Sequence, residues 1–502
     1  MRASSKVEFG DFQTPLALAH EVCELIRQLG EDPDVVLEPT VGRGAFLLAA
    51  ADKFPSATLR GWEINRDHVA DAAAALDAAN VSARSSVTCQ DFFTCDWEAV
   101  LAAQDGRVLI LGNPPWVTNA GVAAIDGTNL PTKENYMGLR GIAARTGKSN
   151  FDISEWMLVR LLRALRGRPA TLALLCKTAT ARKFLRYAWQ NDGRIASAAL
   201  YRIDAAEHFD ASVDACLLYL KTGFSGPQEA DIYSALSAKE PTSRIGLAGE
   251  ELVADIRAYH ALRHLEGTSP FRWRSGVKHD CAAIMELVRS PDGGVENVEG
   301  QHLDLEADYL FPMLKCSDLA NGRTIAKRLV IVTQRFVGDD TVTIAGHAPR
   351  TWTYLQTHSD RFLARKSSIY KGRVPFSLFG IGEYAFAPWK VAVSGLHRSG
   401  RFQVIGPMNG QPVFFDDASY YLPFGREEDA QLVSDILNSP LCQQFLASLV
   451  FTDSKRPFTV ELLQRLNLAA IANEAGLGLR WQQLQRSTFT ISADVPQIEF
   501  VM

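Results

Sequence analysis

Four short apolar runs, each followed by a helical pattern, constrain the fold of this chain more than any other feature. The runs begin at Val35, Thr58, Ser86 and Arg107, and the polar residues that follow them are Glu38, Glu63, Asp91 and Asn113. Strands that alternate with helices form parallel βαβ units, whose carboxyl ends bind ligands at one edge of an open sheet. We therefore predict an α/β fold in which four polar strand ends face one ligand.

The fourth run leads into the stretch Gly112-Asn113-Pro114-Pro115-Trp116. Proline has no N–H, so this backbone offers carbonyl acceptors, and the side-chain oxygen of Asn113 can accept a further hydrogen bond. Trp116 supplies a flat face for a planar ring. The stretch suits an NH2 group on a planar ring, and a proline-rich turn that closes a core strand is the alternative interpretation.

A glycine-containing turn joins the first strand to its helix. Gly42 and Gly44 let the backbone approach a nucleotide-like ligand closely. This turn lacks the third glycine of the dinucleotide fingerprint and the Gly-Lys-Ser/Thr of a phosphate loop, which disfavours NAD and ATP. Glu63 follows at the end of the second strand, about 20 residues later, where it can accept both hydroxyls of a ribose. A helix cap or a solvated acid is the alternative for Glu63.

Three further positions complete the pattern of the first half. Asp91 and Phe92 suit an adenine amine and the face of its ring. Thr14 precedes Pro15 and a helical pattern, which predicts a helix N-cap at Thr14. Strands at residues 170–176, 198–203 and 215–220 are expected, the last two as a closing antiparallel pair, and Phe209 between them is more typical of a core residue.

Composition restricts the class of protein. The 502 residues are 47% hydrophobic and 22% charged, and they contain no apolar run long enough to span a membrane. No hydrophobic signal segment follows Met1, so we expect a cytoplasmic protein. The eight cysteines are scattered without a C-x-x-C pair, which favours reduced thiols and no metal site. The net charge of −5 argues against bulk attachment to nucleic acid and allows a local basic cleft.

Such a basic region is predicted in the second half of the chain. Residues 361–382 carry no carboxylate, and their cations alternate with aromatic residues; the cations are Arg361, Arg365, Lys366, Lys371 and Arg373. This pattern favours contacts to DNA phosphates, and a solvated basic face is the alternative. Lys455 and Arg456 are weaker candidates for the same role.

Residues 9–222 resemble the γ-type N6-adenine DNA methyltransferases, in which the cofactor motifs precede the catalytic motif and the target-recognition region comes last. The matching stretches are Phe12-Gln13-Thr14-Pro15, Glu38-Pro39-Thr40-Val41-Gly42-Arg43-Gly44, Glu63, Asp91-Phe92 and Asn113-Pro114-Pro115-Trp116. Asn150-Phe151 and Phe209 match later motifs more loosely. Trp116 stands where the family more usually has tyrosine or phenylalanine, and Asn113, rather than serine, points to adenine N6 over cytosine N4.

The resemblance implies a Rossmann-like, S-adenosylmethionine-dependent methyltransferase sheet with an antiparallel final hairpin, followed by a C-terminal α+β target-recognition domain. It implies that S-adenosyl-L-methionine is bound by Phe12, Thr14, Glu38, Gly42, Gly44, Glu63, Asp91, Phe92 and Asn113. The catalytic residues that it implies are Asn113, Pro114, Pro115, Trp116 and Phe209. The implied domains are a catalytic domain at 1–225, a linker or helical connection at 226–300 and a DNA-binding domain at 301–502.

The implied substrate is adenine in a specific sequence of double-stranded DNA, flipped out of the helix. A separately encoded restriction endonuclease is the implied partner. Alternative substrates are a protein glutamine amide and an RNA base, because an Asn-Pro-Pro-aromatic site recognises an NH2 on a planar group in general. An idle DNA-binding subunit is disfavoured by the intact Asn113-Pro114-Pro115, and a fused nuclease by the short segment before Val35.

Overall fold

The computed structural model describes residues 13–117, 152–191, 193–290, 294–398 and 400–491. The predicted Phe12, Asn150 and Phe151 lie outside the described residues. The chain divides into two compact units, Met1–Arg257 and Ala258–Met502.

The first unit is built on a ten-stranded sheet. Its strands are β1 Val35–Glu38, β2 Thr58–Glu63, β3 Ser85–Cys89, β4 Val108–Gly112, β5 Thr171–Lys177, β6 Ile195–Ile203, β7 Ala215–Thr222, β8 Glu229–Tyr233, β9 Ser243–Ala248 and β10 Glu251–Val253. The strand order is β10-β9-β8-β6-β7-β5-β4-β1-β2-β3. Strands β3, β2, β1, β4 and β5 are parallel, while β7 runs antiparallel between β5 and β6. The predicted α/β sheet with an antiparallel final pair is therefore confirmed.

Helices cover this sheet, as expected for buried parallel strands. Every residue of β1 and β4 is buried, which explains their continuous apolar runs. The helices of the unit are Leu16–Gln28, Ala45–Lys53, Arg66–Ala78, Trp97–Ala102, Ile153–Leu165, Thr178–Gln190 and Ala205–Phe209. The first of these buries one apolar face, including Leu18, Val22 and Ile26, in the main hydrophobic core of the unit.

Two sequence predictions differ from the structure. The helix Leu16–Gln28 has Pro15 at its N-cap position and receives no side-chain cap. The predicted cap at Thr14 is wrong because the Thr14 hydroxyl instead accepts a hydrogen bond from the Asn113 amide. The predicted domain boundary at residue 225 falls inside the first unit, since the chain turns back after β7 and β8 pairs parallel to β6.

The second unit contains two sheets. One has four strands in the order Arg274–Ser275, Ser419–Phe424, Trp389–Ser394 and Gln403–Ile405. The other has six in the order His302–Leu303, Val295–Asn297, Glu286–Arg289, Arg328–Ile331, Leu310–Leu314 and Phe414–Phe415. All neighbouring strands of both sheets are antiparallel except the last pair of the second.

Helices accompany both sheets of the second unit, so the predicted α+β character of the C-terminal part is confirmed. They are Ala282–Met285, Cys316–Ala320, Ile344–His347, Pro349–Thr357, Ser359–Leu363, Glu427–Leu437, Pro440–Leu449, Val460–Gln464, Leu468–Glu474 and Gly478–Ile491, and Ile256–Leu262 spans the division between the units. Across the described ranges, no helix combines the length and the apolar character needed to cross a membrane.

Candidate active site

The carboxyl ends of β1 and β4 lie side by side, because Val36 pairs with Leu109 and Leu37 with Ile110 in parallel register. This is the position where the order of an open parallel sheet reverses and where ligands bind. The strand ends place Glu38 and Asn113 at that edge, and β2, which pairs with β1, brings Glu63 to the same edge.

Glu38 is a buried carboxyl group, with 2% of the residue exposed. Burial, and to a smaller extent the nearby Glu63 carboxylate, raises the pKa of Glu38 well above its ordinary value, although the Leu47 backbone N–H donates to Glu38. Its Oε2 atom has no hydrogen-bond partner among the residues that the structure describes. Since buried polar atoms are almost always bonded, this oxygen is suited to a polar group of a ligand.

The turn after β1 requires its two glycines. Gly42 has φ +54° and Gly44 has φ +90°, a left-handed conformation that other residues adopt only with strain. A Cβ on Gly42 would lie 2.7 Å from Gln13 Oε1, and one on Gly44 would lie 3.1 Å from the Ala72 Cβ. The turn is therefore both conformationally special and tightly enclosed by its neighbours.

Glu63 organises this turn. Its Oε2 accepts a hydrogen bond of 2.8 Å from the Gly42 backbone N–H, and its Oε1 accepts one of 2.9 Å from the Asn65 N–H. A carboxylate can accept about four hydrogen bonds in all, so these two leave capacity for the hydroxyls of a ribose. Glu63 thus stabilises the glycine turn and can still accept further hydrogen bonds from a ligand.

Asp91 and Phe92 follow β3, and the structure gives them different environments. Asp91 Oδ1 accepts a hydrogen bond of 2.9 Å from the Phe93 N–H. Phe92 is 6% exposed, and its ring centroid lies 4.7 Å from that of Trp97. Phe93, which sequence reasoning passed over, is the less buried of the two adjacent rings, and it packs edge-on against Trp156.

Asn113 is tied to the segment that precedes the first helix. Its Nδ2 donates to Thr14 Oγ1 over 3.2 Å, and its backbone oxygen accepts from Thr40 Oγ1 over 3.4 Å. The neighbouring Gln13 accepts from the Arg43 N–H in the glycine turn. The structure therefore brings together the Gln13-Thr14 element, the glycine turn and Asn113, as the order of the sequence motifs predicts.

The rings of Trp116 and Phe209 lie in the core of the first unit. Trp116 is 6% exposed and Phe209 7% exposed. Their centroids are 5.0 Å apart in an edge-to-face arrangement, and Trp116 Nε1 donates to the Leu175 carbonyl over 3.3 Å. In this arrangement each ring contacts the other, and a planar ligand could reach the Trp116 face only if these contacts change.

Lys177 and Asp152 stabilise the loop that carries Trp116, and the sequence analysis did not identify them. Lys177 Nζ donates to the Trp116 carbonyl and to Asp152 Oδ2, each over 2.6 Å. Asp152 also caps the helix Ile153–Leu165 by accepting from the Ser154 N–H. The N-cap could have been predicted from the Asp-x-Ser spacing, whereas the contact of Lys177 with Trp116 depends on tertiary structure.

The basic side chains predicted to contact DNA are of two kinds in the second unit: some are exposed to solvent, and others bond to neighbouring groups of the protein. Lys366, Lys371 and Arg373 are exposed. Lys455 is exposed as well, and Arg456 donates to the Tyr420 hydroxyl over 3.4 Å. These side chains are available for the predicted phosphate contacts.

Arg365 is engaged inside the fold instead. Its guanidinium donates to the carbonyl groups of His279 and Ser377 over 3.2 and 2.9 Å and lies 3.6 Å from the Tyr370 ring centroid. Burial lowers the pKa of Arg365. Arg361 pairs with Glu299 Oε1 over 2.9 Å at the surface. We conclude that Arg365 braces the segment that carries the exposed cations. Within the described residues, no cluster of His, Cys, Asp and Glu is suited to hold a metal ion.

Comparison with known proteins extends these observations. No protein-family model matches the chain. The type II methyltransferase M.NspV from Nostoc sp. is 41% identical over 472 residues, which are 93% of this chain and 98% of that protein. Among solved structures, the type IIL restriction-modification enzyme MmeI in complex with DNA matches with a TM-score of 0.57 and 12% identity, over 93% of this chain and 69% of that chain. At this identity the match shows a shared fold.

Proposed function

The chain belongs to the type II methyltransferases of restriction-modification systems, and from this premise we propose that it methylates the N6 amine of adenine in a specific DNA sequence. The observation that carries the proposal is the position of Asn113-Pro114-Pro115 at the carboxyl end of β4, next to the Glu38 end of β1. This arrangement sets acceptors for an NH2 group beside a nucleotide-type site.

The residues at the edge of the sheet fit S-adenosylmethionine. The buried Oε2 of Glu38 lacks a hydrogen-bond partner among the described residues, which suits a polar donor of the ligand. Gly42 and Gly44 have no side chains, so a ligand can approach the backbone closely, and Glu63 can still accept hydrogen bonds from a ribose. We assign Thr14, Asp91 and Phe92 to the same site through the family motifs, together with Phe12, which lies outside the described residues. When bound, the cofactor supplies an electrophilic methyl group on a sulfonium.

Asn113 and Pro114 activate the nucleophile. The exocyclic amine of adenine is a poor nucleophile because its lone pair is delocalised into the ring. Thr14 holds Nδ2 of Asn113, so Oδ1 is the atom that accepts an N6 hydrogen. The carbonyl of Pro114 accepts the other, and together they favour a pyramidal nitrogen with greater electron density. Pro115 keeps the backbone of the turn stiff.

The target base must leave the duplex to reach this site, at a cost of roughly a few kcal/mol in unstacking. We propose that Trp116 and Phe209 then hold the base. Because their rings contact each other in the structure, this role requires the Trp116 face to become accessible when the base enters. Lys177 fixes the Trp116 backbone through its carbonyl, so the side chain can adjust while the loop keeps its position.

DNA contact is assigned to the exposed cations Lys366, Lys371, Arg373, Lys455 and Arg456 of the second unit, with Arg361 at its surface. These side chains fit phosphate groups by charge. A separately encoded restriction endonuclease that cuts the unmethylated sequence is the proposed biological partner, and the cytoplasm is the proposed location.

The proposal is tested by expressing the wild-type protein, Asn113→Ala and the control Asn321→Ala in a methylation-deficient host and mapping modified bases in its DNA. We expect N6-methyladenine at one sequence with the wild type and the control. For Asn113→Ala we expect a loss of about 100-fold or more in transfer rate with the fold retained. Near-normal transfer by a folded Asn113→Ala protein would refute the catalytic role. A methyl group found on cytosine, RNA or protein glutamine would refute the substrate.

A further inference from the structure

An apolar pair of side chains projects from an otherwise polar loop in the second unit. Phe336 is 48% exposed and Val337 is 46% exposed. On either side of them, Gln334 is 4% exposed and Thr341 is fully buried. The loop is therefore anchored at both ends while its tip presents an aromatic ring to solvent.

The tip is held in shape by its own hydrogen bonds. Asp339 Oδ2 accepts from the backbone N–H groups of Arg335 and Phe336 over 3.1 and 2.8 Å. The Gln334 side chain donates to the Asp339 carbonyl over 2.8 Å. A loop fixed in this way loses little conformational entropy when it binds, so the ring is presented in a preformed position.

The loop is also hydrogen-bonded to residues 375–378 of the basic segment. Thr333 Oγ1 donates to the Phe376 carbonyl over 2.8 Å, and Thr341 Oγ1 donates to the Pro375 carbonyl over 2.6 Å. The Leu378 N–H donates to Gln334 Oε1 over 2.8 Å. Three hydrogen bonds thus connect the apolar tip with the segment that carries the exposed Lys366, Lys371 and Arg373.

The charges around the tip favour a polyanion. Residues 361–382 contain no carboxylate and contribute three exposed cations, Lys366, Lys371 and Arg373, whereas Arg361 pairs with Glu299 and Arg365 is bonded inside the fold. The loop itself carries the acids Asp339 and Asp340, whose side chains accept hydrogen bonds from the Arg335, Phe336 and Val342 N–H groups, so the positive charge comes from the neighbouring segment. Arg335 pairs with Glu383 Oε2 over 3.6 Å. A partner that offers phosphate groups and flat apolar faces at once satisfies both features, and duplex DNA is such a partner.

We propose that Phe336, supported by Val337, inserts between base pairs of the bound duplex while Lys366, Lys371 and Arg373 contact its phosphates. Proteins that kink or unstack DNA commonly insert an apolar side chain between base steps in this way. The inference rests on the proposed DNA substrate and adds a residue that acts on the base stack. Phe336 is a positioning residue, because it acts on the DNA away from the reacting atoms.

The test compares the wild type, Phe336→Ala, Phe336→Trp and the control Ile325→Ala, which removes another exposed apolar side chain of the same unit. The probe is a duplex that carries the sequence methylated by the wild type, with 2-aminopurine placed at successive positions. Loss of one aromatic stacking contact predicts about 5- to 150-fold weaker binding for Phe336→Ala. It also predicts that Phe336→Ala lacks the 2-aminopurine fluorescence signal that the wild type gives at the one base step where Phe336 inserts.

The salt dependence of the binding constant distinguishes an inserted apolar side chain from a contact between a charged side chain and a phosphate. We expect Phe336→Ala to keep the wild-type slope of log K against log salt, because no phosphate contact is removed. Phe336→Trp is expected to retain tight binding and the fluorescence signal. Equal affinity and fluorescence for Phe336→Ala and the wild type would overturn this inference and leave the proposed function standing. A wild-type protein that neither binds nor methylates duplex DNA would overturn both.

Discussion

Replacing Lys177 by methionine should loosen the loop that carries Trp116, to which we assign a catalytic role. The Lys177 ammonium bridges the Trp116 carbonyl and the Asp152 carboxylate, both at 2.6 Å. Methionine keeps the length and apolar stem of lysine and removes the donors. The Trp116 carbonyl then loses its anchor, and a carboxylate whose side chain is 8% exposed loses its cation.

The size of the effect follows from burial. Removing one partner of a buried ion pair costs about 3–5 kcal/mol. The Lys177 side chain is 24% exposed and Asp152 keeps its hydrogen bonds to Ser154, so we expect a loss of about 2–3 kcal/mol in the free energy of unfolding. Because a displacement of about 1 Å can cost 100-fold in rate, we expect single-turnover methyl transfer to fall by about 10- to 100-fold.

The assay combines urea unfolding, S-adenosylmethionine binding and single-turnover transfer to DNA for Lys177→Met. The exposed Lys239 provides a matched control, Lys239→Met, which should behave as wild type in all three. Adding Asp152→Asn to Lys177→Met should recover part of the stability, because the uncompensated charge disappears, but should not recover the rate. A Lys177→Met protein with unchanged stability and unchanged transfer would refute this account of the loop.

Three further changes test other parts of the molecule. Burial raises the pKa of Glu38, so the carboxyl group holds its proton in the folded protein at pH values where it ionises in the unfolded chain. The free energy of unfolding therefore falls as pH rises above about 4.3. Glu38→Gln should remove this fall in urea titrations and weaken S-adenosylmethionine binding. Gly44→Ala should destabilise by about 1–3 kcal/mol because φ is +90° and the new Cβ meets Ala72, and the loss should exceed that of Gly249→Ala, which has φ +64° and open space. Burial lowers the pKa of Lys390 to about 7, so the free energy of unfolding should rise with pH between about 7 and 10, where the unfolded chain binds more protons. Lys390→Met should abolish that rise, and an unchanged slope would contradict the assignment.

The parallel strands of the first unit were predictable from the sequence because their signals are local. The apolar runs that begin at Val35 and Thr58 correspond to β1 and β2. Continuous burial on both faces of β1 and β4 leaves little freedom in how such runs fold. The last three strands, β8 to β10, were missed, because their short, partly exposed sequences carry no comparable pattern.

The meeting of three candidate site residues at one edge of the sheet was predictable from the sequence, whereas the contacts of other candidate residues were not. The spacing of the motifs identified Glu38, Glu63 and Asn113, which the sheet brings to one edge. The burial of Trp116 against Phe209 and the bridge made by Lys177 depend on packing between segments far apart in the chain. Sequence spacing alone carries no information on such contacts.

The most direct test of the central claim is the chemical identity of the product. The purified protein is incubated with S-adenosylmethionine and plasmid DNA from a methylation-deficient host, and the DNA is then digested to nucleosides for mass spectrometry. Our account predicts N6-methyladenine, which Asn113→Ala should abolish while the protein stays folded. N4-methylcytosine, or unmodified DNA from a folded protein that binds S-adenosylmethionine, would contradict it.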